Sequence, residues 1–160
     1  MRIVLQRVSR AAVTVDGTEC ARIGVGLLLL VGVGEGDDED TARRMAAKVA
    51  RLRLFPGTDA RGFDVCVGDA GGAVLVVSQF TLMGDVRRGN RPSWAHAAQP
   101  DDAEPVVEAL ARGLEGAGVT VERGVFGAMM DVELLNDGPV TLVLDSHALF
   151  SARNGGDALG

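Results

Sequence analysis

Apolar and polar positions alternate along residues 2–8, RIVLQRV, so that Ile3, Leu5 and Arg7 share one face of a strand and Val4, Gln6 and Val8 the other. Arg7 therefore stands in line with core residues. Either its guanidinium snorkels out at a strand end, or it is placed to bond something specific. Residues 11–15 and 18–23 flank Asp16-Gly17 and predict a hairpin with a tight turn. Residues 25–33 form a third, wholly apolar strand. The acidic run 35–40 opens a helix in which Ala42, Met45, Val49 and Leu52 recur on one face. Carboxylates at a helix start suit its dipole, so the charge run reads as a helix N-terminus. Residues 53–55 and 63–67 predict short strands, with Pro56-Gly57 as the break.

The stretch 73–82, AVLVVSQFTL, opens as a buried strand and then changes character at Ser78, Gln79 and Thr81, around the single aromatic Phe80. It is either a strand running into a turn or a rigid strand end holding small polar groups at fixed distances from a ligand. A loop over 83–100 carries RRGNRPSW. The second helix is expected to be capped by Asp101-Asp102, with Pro105 in its first turn and Val106, Val107, Leu110 and Leu114 as its buried stripe. Gly116 and Gly118 end it. Residues 119–122 predict a strand. Residues 124–130, GVFGAMM, place two glycines around Phe126 and imply close passage of the backbone. Residues 131–135 and 140–144 predict strands flanking NDGP. Local rules make Asp137-Gly138 a hairpin turn, although Pro139 removes a donor where the second strand should begin. Residues 146–160 are polar and glycine-rich and predict a frayed tail. With no repeat and no linker, the chain reads as one domain over 1–145 plus that tail.

Composition narrows the function classes. The 160 residues are 47% hydrophobic, enough for a sizeable core. The longest apolar run is too short to span a bilayer, and no signal-like segment precedes the first strand, so a cytoplasmic protein with no membrane partner is expected. Cys20 and Cys66 stand alone, which predicts free, buried thiols in a reducing cytosol and neither a disulfide nor a metal site. A net charge of −6 argues against gripping long nucleic acid, and no DNA partner is expected. It leaves room for a protein that holds only a terminus. Arg87, Arg88 and Arg91, with Trp94 close by, form the one basic patch with an aromatic; it is an ordinary solvated loop or a phosphate contact.

No familiar catalytic constellation appears. His96 and His147 have no metal-type spacing and no evident link to Ser78 or Thr81, and no phosphate-binding glycine loop is present. No general base is advertised. That suits a reaction on an already activated substrate, which needs positioning more than acid–base help.

SQFTL at 78–82 together with NDGPVT at 136–141 resembles the D-aminoacyl-tRNA deacylase family. LQRV with Arg7, the run 74–77, RGNRPSW and VFGAMM extend the likeness over roughly residues 1–145. The resemblance implies a homodimer that hydrolyses the ester joining a D-amino acid, or glycine, to the terminal adenosine of tRNA, with no metal or cofactor. It implies a site at the subunit interface, where Gly138-Pro139 of one subunit, joined by a cis peptide, rejects L side chains above the other subunit's strand end. Carried over, Ser78, Gln79 and Phe80 form the pocket for the amino group and adenosine, with main-chain N–H groups polarising the ester carbonyl. Thr81 supports, while the ribose 2′-hydroxyl and a water react. Arg7 holds the Gly-Pro loop, Asn136 braces it, and Phe126 and Gly127 line the adenine pocket. Where many members carry a GKMN-like stretch, this chain has Arg61-Gly62-Phe63-Asp64.

The expected fold is a compact α+β domain: a mostly antiparallel β-barrel or sandwich with two main helices, working as a dimer. Three rival functions stay open: a deacylase of relaxed chirality that removes L-alanine from a wrong tRNA, a non-catalytic nucleic-acid-binding module, and a structural dimerisation domain.

Overall fold

A sheet covered on both faces shows no polar face in its sequence, and residues 26–32 and 73–78 read that way. In the computed structural model, which describes residues 1–57 and 62–151, they form β3 (Gly26–Gly32) and β4 (Ala73–Ser78). Leu27, Leu29, Val31, Val74 and Val76 pack under the two main helices, α1 (Glu39–Arg51) and α2 (Pro100–Gly116). The alternate residues Leu28, Leu75 and Val77 point the other way, into a second cluster with Val8, Ala11, Val13, Ala21 and Ile23. One run of apolar residues thus feeds two cores.

The sheet is organised by β1 (Arg2–Val15). Along one edge it pairs antiparallel with β2 (Thr18–Ile23) and then β3, so those two strands act as one broken partner. Along the other edge it pairs antiparallel with β6 (Asp131–Asp145). Beyond β3 the pairing turns parallel, through β4 to β5 (Thr120–Arg123). The sheet is therefore mixed, and it curls until β2 lies against β4 and β5, nearly closing a barrel. The expected class, one α+β domain with a barrel-like sheet and two main helices, is what forms. No helix among the described residues is long and apolar enough to cross a membrane. The expected burial of the thiols is not what forms: Cys20 is exposed on β2 and Cys66 is half-buried.

Four local expectations are corrected. The NDGP segment is not a hairpin turn. Both halves of β6 run in the same direction along β1, Asp145 beside Arg2 and Asp131 beside Thr14, and the register shifts between Gln6 and Val8. NDGP is extruded from a continuing strand, because reversing there would forfeit half of the pairing with β1. Next, α2 starts earlier than its acidic pair: Gln99 is the cap residue, Pro100 opens the helix, and Asp101 and Asp102 lie in the first turn. They act on the helix dipole there, and Pro105 falls a turn later. The strands expected at 53–55 and 63–67 shrink to a single bridge between Phe55 and Val65. Pro56 lacks the next donor, and Phe55 is held by burial in the core instead. Residues 58–61 between them, Arg61 included, lie outside the described residues.

The fourth concerns the tail. Ser146–Phe150 is a short helix, α3, and the rest of the tail beyond residue 151 lies outside the described residues. Asp145 caps α3, accepting from the N–H groups of His147 at 2.9 Å and Ala148 at 3.4 Å. Ser146 is buried, and its hydroxyl oxygen accepts a hydrogen bond from the Met1 ammonium at 2.8 Å. That ammonium also forms an ion pair with Asp37, at the entry to α1. Arg2 reaches Asp145 as well, at 3.3 Å.

Burial pushes the Asp145 carboxyl up, but the hydrogen bonds from Ala148, His147 and Arg2 outweigh it and hold it below its ordinary value. A carboxylate depressed in the folded state contributes stability above its unfolded pKa and loses it as pH falls through the folded one. Asp145→Ala, which removes the cap and the partner of Arg2, is therefore expected to cost about 1 kcal/mol at neutral pH. Its stability should also fall less steeply than that of the unsubstituted protein below about pH 4. Denaturant unfolding across a pH series checks both.

Candidate functional site

The polar residues at the end of β4 leave the sheet at once. Gln79 still donates its main-chain N–H to the Val31 carbonyl at 2.7 Å, as a strand residue would. The chain then enters a single 3₁₀ turn, Phe80–Met83. The turn fits against β3 because Gly32 has no side chain: a Cβ there would lie 2.9 Å from Leu82 Cβ and 3.1 Å from the Gln79 carbonyl oxygen. Arg2 Nη1 donates to the Leu82 carbonyl at 2.8 Å and fixes the turn's far end.

Within this turn the Gln79 side-chain amide donates to Thr81 Oγ1 at 2.5 Å. Phe80 is 57% exposed and meets Trp94 edge-to-face, with centroids 5.5 Å apart. The main-chain donors divide in a way sequence could not show. Gln79 N–H is consumed by the sheet, whereas Phe80 and Thr81 N–H have no backbone acceptor among the described residues.

Ser78 and Phe126 share a second feature, a cleft of about 630 Å³ between α2 and the ends of β4 and β5. Val76, Pro105, Val107 and Ala111 give it an apolar wall, and Glu104, Glu108 and Arg123 a charged rim. Arg123 is clamped by Glu108 at 3.0 Å and Glu115 at 2.7 Å, and those carboxylates push its pKa up. Phe126 is half-buried against the helix-side core. Gly127 follows it with φ +73°, in a tight turn closed by Ala128 N–H on the Val125 carbonyl at 3.2 Å. The left-handed conformation explains the glycine. Sequence reasoning named neither wall of this cleft, because α2 and β5 meet only in the fold.

The extruded NDGP segment forms a third cluster. Its Gly138–Pro139 peptide is cis. The Arg7 guanidinium spans several partners: Nε lies 2.9 Å from the Asp137 carboxylate and 3.2 Å from its carbonyl, and Nη1 donates to the Leu54 carbonyl at 2.5 Å. The same group sits 5.9 Å from the ring centres of Phe55 and Phe63. With 11% side-chain exposure, Arg7 is a bonded strut and not a snorkelling cation. Asn136 Nδ2 donates to the Arg7 carbonyl at 2.9 Å and the Val140 carbonyl at 3.2 Å, closing the base of the loop. A Cβ on Gly138 would lie 3.3 Å from Asn136 Oδ1.

One chain does not bring all these residues together. Arg2 holds the 3₁₀ turn and Arg7 the Gly-Pro loop, and the five residue steps from one to the other along β1 amount to about 17 Å of extended strand. Ser78, Gln79, Phe80 and Thr81 cluster at one end; Arg7, Asn136, Gly138 and Pro139 cluster further along. Among the described residues, no group of three or more His, Cys, Asp or Glu side chains is arranged to hold a metal ion.

Asn136→Ala removes two donors from the loop base and should cost about 1–2 kcal/mol in thermal unfolding. It should also speed hydrogen exchange around residues 137–140. Gly32→Ala drives a methyl into the 3₁₀ turn and is expected to displace Phe80. The reporter is Trp94 fluorescence, which should shift even where the fold survives.

A family model described as D-Tyr-tRNA(Tyr) deacylase matches residues 4–145. The D-aminoacyl-tRNA deacylase of Thermomicrobium roseum is 57% identical over 149 residues, covering 93% of this chain and 96% of the relative. That of Micrococcus luteus is 53% identical over 156 residues, covering 97% of this chain and all of the relative. Among solved structures, a c-Myc DNA unwinding element binding protein superposes with a TM-score of 0.84 at 35% identity, covering 91% of this chain and 98% of its own. A probable eukaryotic D-amino acid tRNA deacylase has the same fold, with a TM-score of 0.76 at 15% identity over 89% of this chain and 97% of its own. With the strand-end turn and the braced Gly-Pro loop both inside the matched span, the chain belongs to the D-Tyr-tRNA(Tyr) deacylase family.

Proposed function

We propose that this protein hydrolyses the ester of D-aminoacyl-tRNA, and of glycine mischarged on tRNA, in the cytoplasm as a homodimer. Family membership supports the deacylase activity. The observation that carries the rest is the separation of the two clusters: each is rigidly held, yet about 17 Å of β1 lies between their anchors within one chain. A second subunit closes that gap by setting its Gly138-Pro139 loop over the first subunit's Ser78–Thr81 end.

A free edge supports such an arrangement. Among the described strands β6 pairs only with β1, so its outer edge is unpaired. It exposes Leu135 and Val143, the latter at 66%. Long apolar edges invite pairing with another chain.

In the proposed site the Phe80 and Thr81 N–H groups polarise the ester carbonyl. Gln79 contributes its side chain rather than its main-chain donor. The Thr81 hydroxyl, already accepting from Gln79, steadies that amide; the 2′-hydroxyl of the terminal ribose and a water react. The adenosine takes the cleft beside Ser78 and Phe126. The carbonyls of the Gly138-Pro139 loop exclude an L side chain while a D side chain points away, so discrimination is steric rejection. Glycine passes because it has nothing to reject. One structural relative is named for a DNA unwinding element; with a net charge of −6, we expect no affinity for long duplex DNA here.

The test is deacylation of D-tyrosyl-, L-tyrosyl- and glycyl-tRNA with a chelator present. D-tyrosyl- and glycyl-tRNA should be cleaved on the order of a hundredfold faster than L-tyrosyl-tRNA. Light scattering should give the mass of a dimer. Equal cleavage of L-tyrosyl-tRNA would sink the rejection mechanism, and a monomer active at full rate would sink the shared site.

A further inference from the structure

The family reading leaves the RRGNRPSW loop without a task. In the fold it begins where the 3₁₀ turn ends. Asp85 and Ser93 pair across its base, N–H to carbonyl at 2.8 and 2.9 Å, so residues 86–92 project as the tip of a short hairpin. Trp94 follows at once, and its ring lies over Gly84, where a Cβ would come within 2.5 Å of it. The ring also meets Phe80 edge-to-face, and it remains 41% exposed. The loop is thus joined rigidly to the candidate site through two half-exposed aromatic rings.

Its three arginines are not equivalent. Arg87 is spent on Asp85, with Nη2 2.5 Å and Nε 2.9 Å from the carboxylate oxygens, and the guanidinium holds that carboxyl well below its usual range. Arg88 and Arg91 are exposed and have no acidic partner among the described residues. In a chain of net charge −6, two free guanidiniums on a pinned tip beside paired aromatics are a local exception. Guanidiniums suit phosphates, and aromatic faces suit unstacked bases.

Resting on the deacylase reading, we propose that Trp94, Arg88 and Arg91 form a docking strip for the single-stranded 3′ end of the tRNA. Trp94 stacks on a base ahead of the terminal adenosine, and the two arginines contact the phosphates leading to it. Phe80 is the shared wall between strip and reaction site. The strip contributes affinity for the strand and nothing to the bond that breaks. A flat aromatic with two point contacts tolerates any base sequence.

The test separates the strand from its end. Binding of uncharged tRNA is measured over a salt series for the unsubstituted protein, Arg88→Ala/Arg91→Ala, Trp94→Ala and Trp94→Phe. Hydrolysis is measured on D-tyrosyl-tRNA and on 3′-D-tyrosyl-adenosine, which lacks the preceding phosphates and bases. The double arginine variant should bind tRNA about tenfold more weakly, with a salt slope shallower by about 1.4. Its loss in kcat/KM should fall on tRNA, through KM, with the nucleoside ester changed less than twofold. Trp94→Ala should weaken tRNA binding with an unchanged slope, and Trp94→Phe should restore it. Equal losses on both substrates, or tRNA binding and slope left intact, would overturn the strip. So would duplex DNA competing as well as tRNA. If the unsubstituted protein cleaved neither ester, the deacylase reading would fall alone, because weakened tRNA binding by the arginine variant would still support the strip.

Discussion

Everything in this structure hangs on β1 using both of its hydrogen-bonding edges for nearly its whole length. One edge takes β2 and β3 in succession; the other takes β6 from Thr14 back to Arg2. A strand paired on both sides cannot slip without breaking two ladders at once. Its register therefore fixes, together, where the 3₁₀ turn sits and where the Gly-Pro loop emerges. Arg2 and Arg7 carry that register outward, one to the Leu82 carbonyl and one to Asp137.

The same strand explains what sequence could and could not disclose. Alternation in residues 2–8, the Asp16-Gly17 turn and the helical stripe through Met45 and Val49 are local signals, and local structure obeyed them. NDGP has the local form of a hairpin, an Asp-Gly pair between two apolar runs, while the partner that decides the matter lies more than a hundred residues away. Pro139 hinted at trouble but could not name β1. The short helix at Ser146–Phe150 has a local signal that the expected frayed tail leaves out, the Asp145 cap.

The candidate site divides along the same line. Ser78–Thr81 stood out because polarity changes abruptly at the end of an apolar run. Arg7 stood out because a cation occupied a core-facing slot, although its partners Leu54 and Asp137 were beyond sequence reasoning. Which backbone donors remain free was illegible: Gln79 and Phe80 are neighbours, and only the pairing of Val31 with the end of β4 separates a used N–H from an unused one. The cleft beside Phe126 was illegible for a related reason, since its walls come from segments with no sequence relation.

Because β3 and β4 are buried on both faces, the interior of this protein has no room for chemistry. All polar function is displaced to where strands stop or bulge: the turn after Ser78, the extrusion in β6, the tip between Asp85 and Ser93. Each rim is tied back by a few braces, Arg2, Arg7 and Asn136, and beyond those braces its exposed side chains touch little of the core. The architecture thereby divides the labour of the chain, an interior that only holds shape and a margin that carries all the polar groups a ligand could meet.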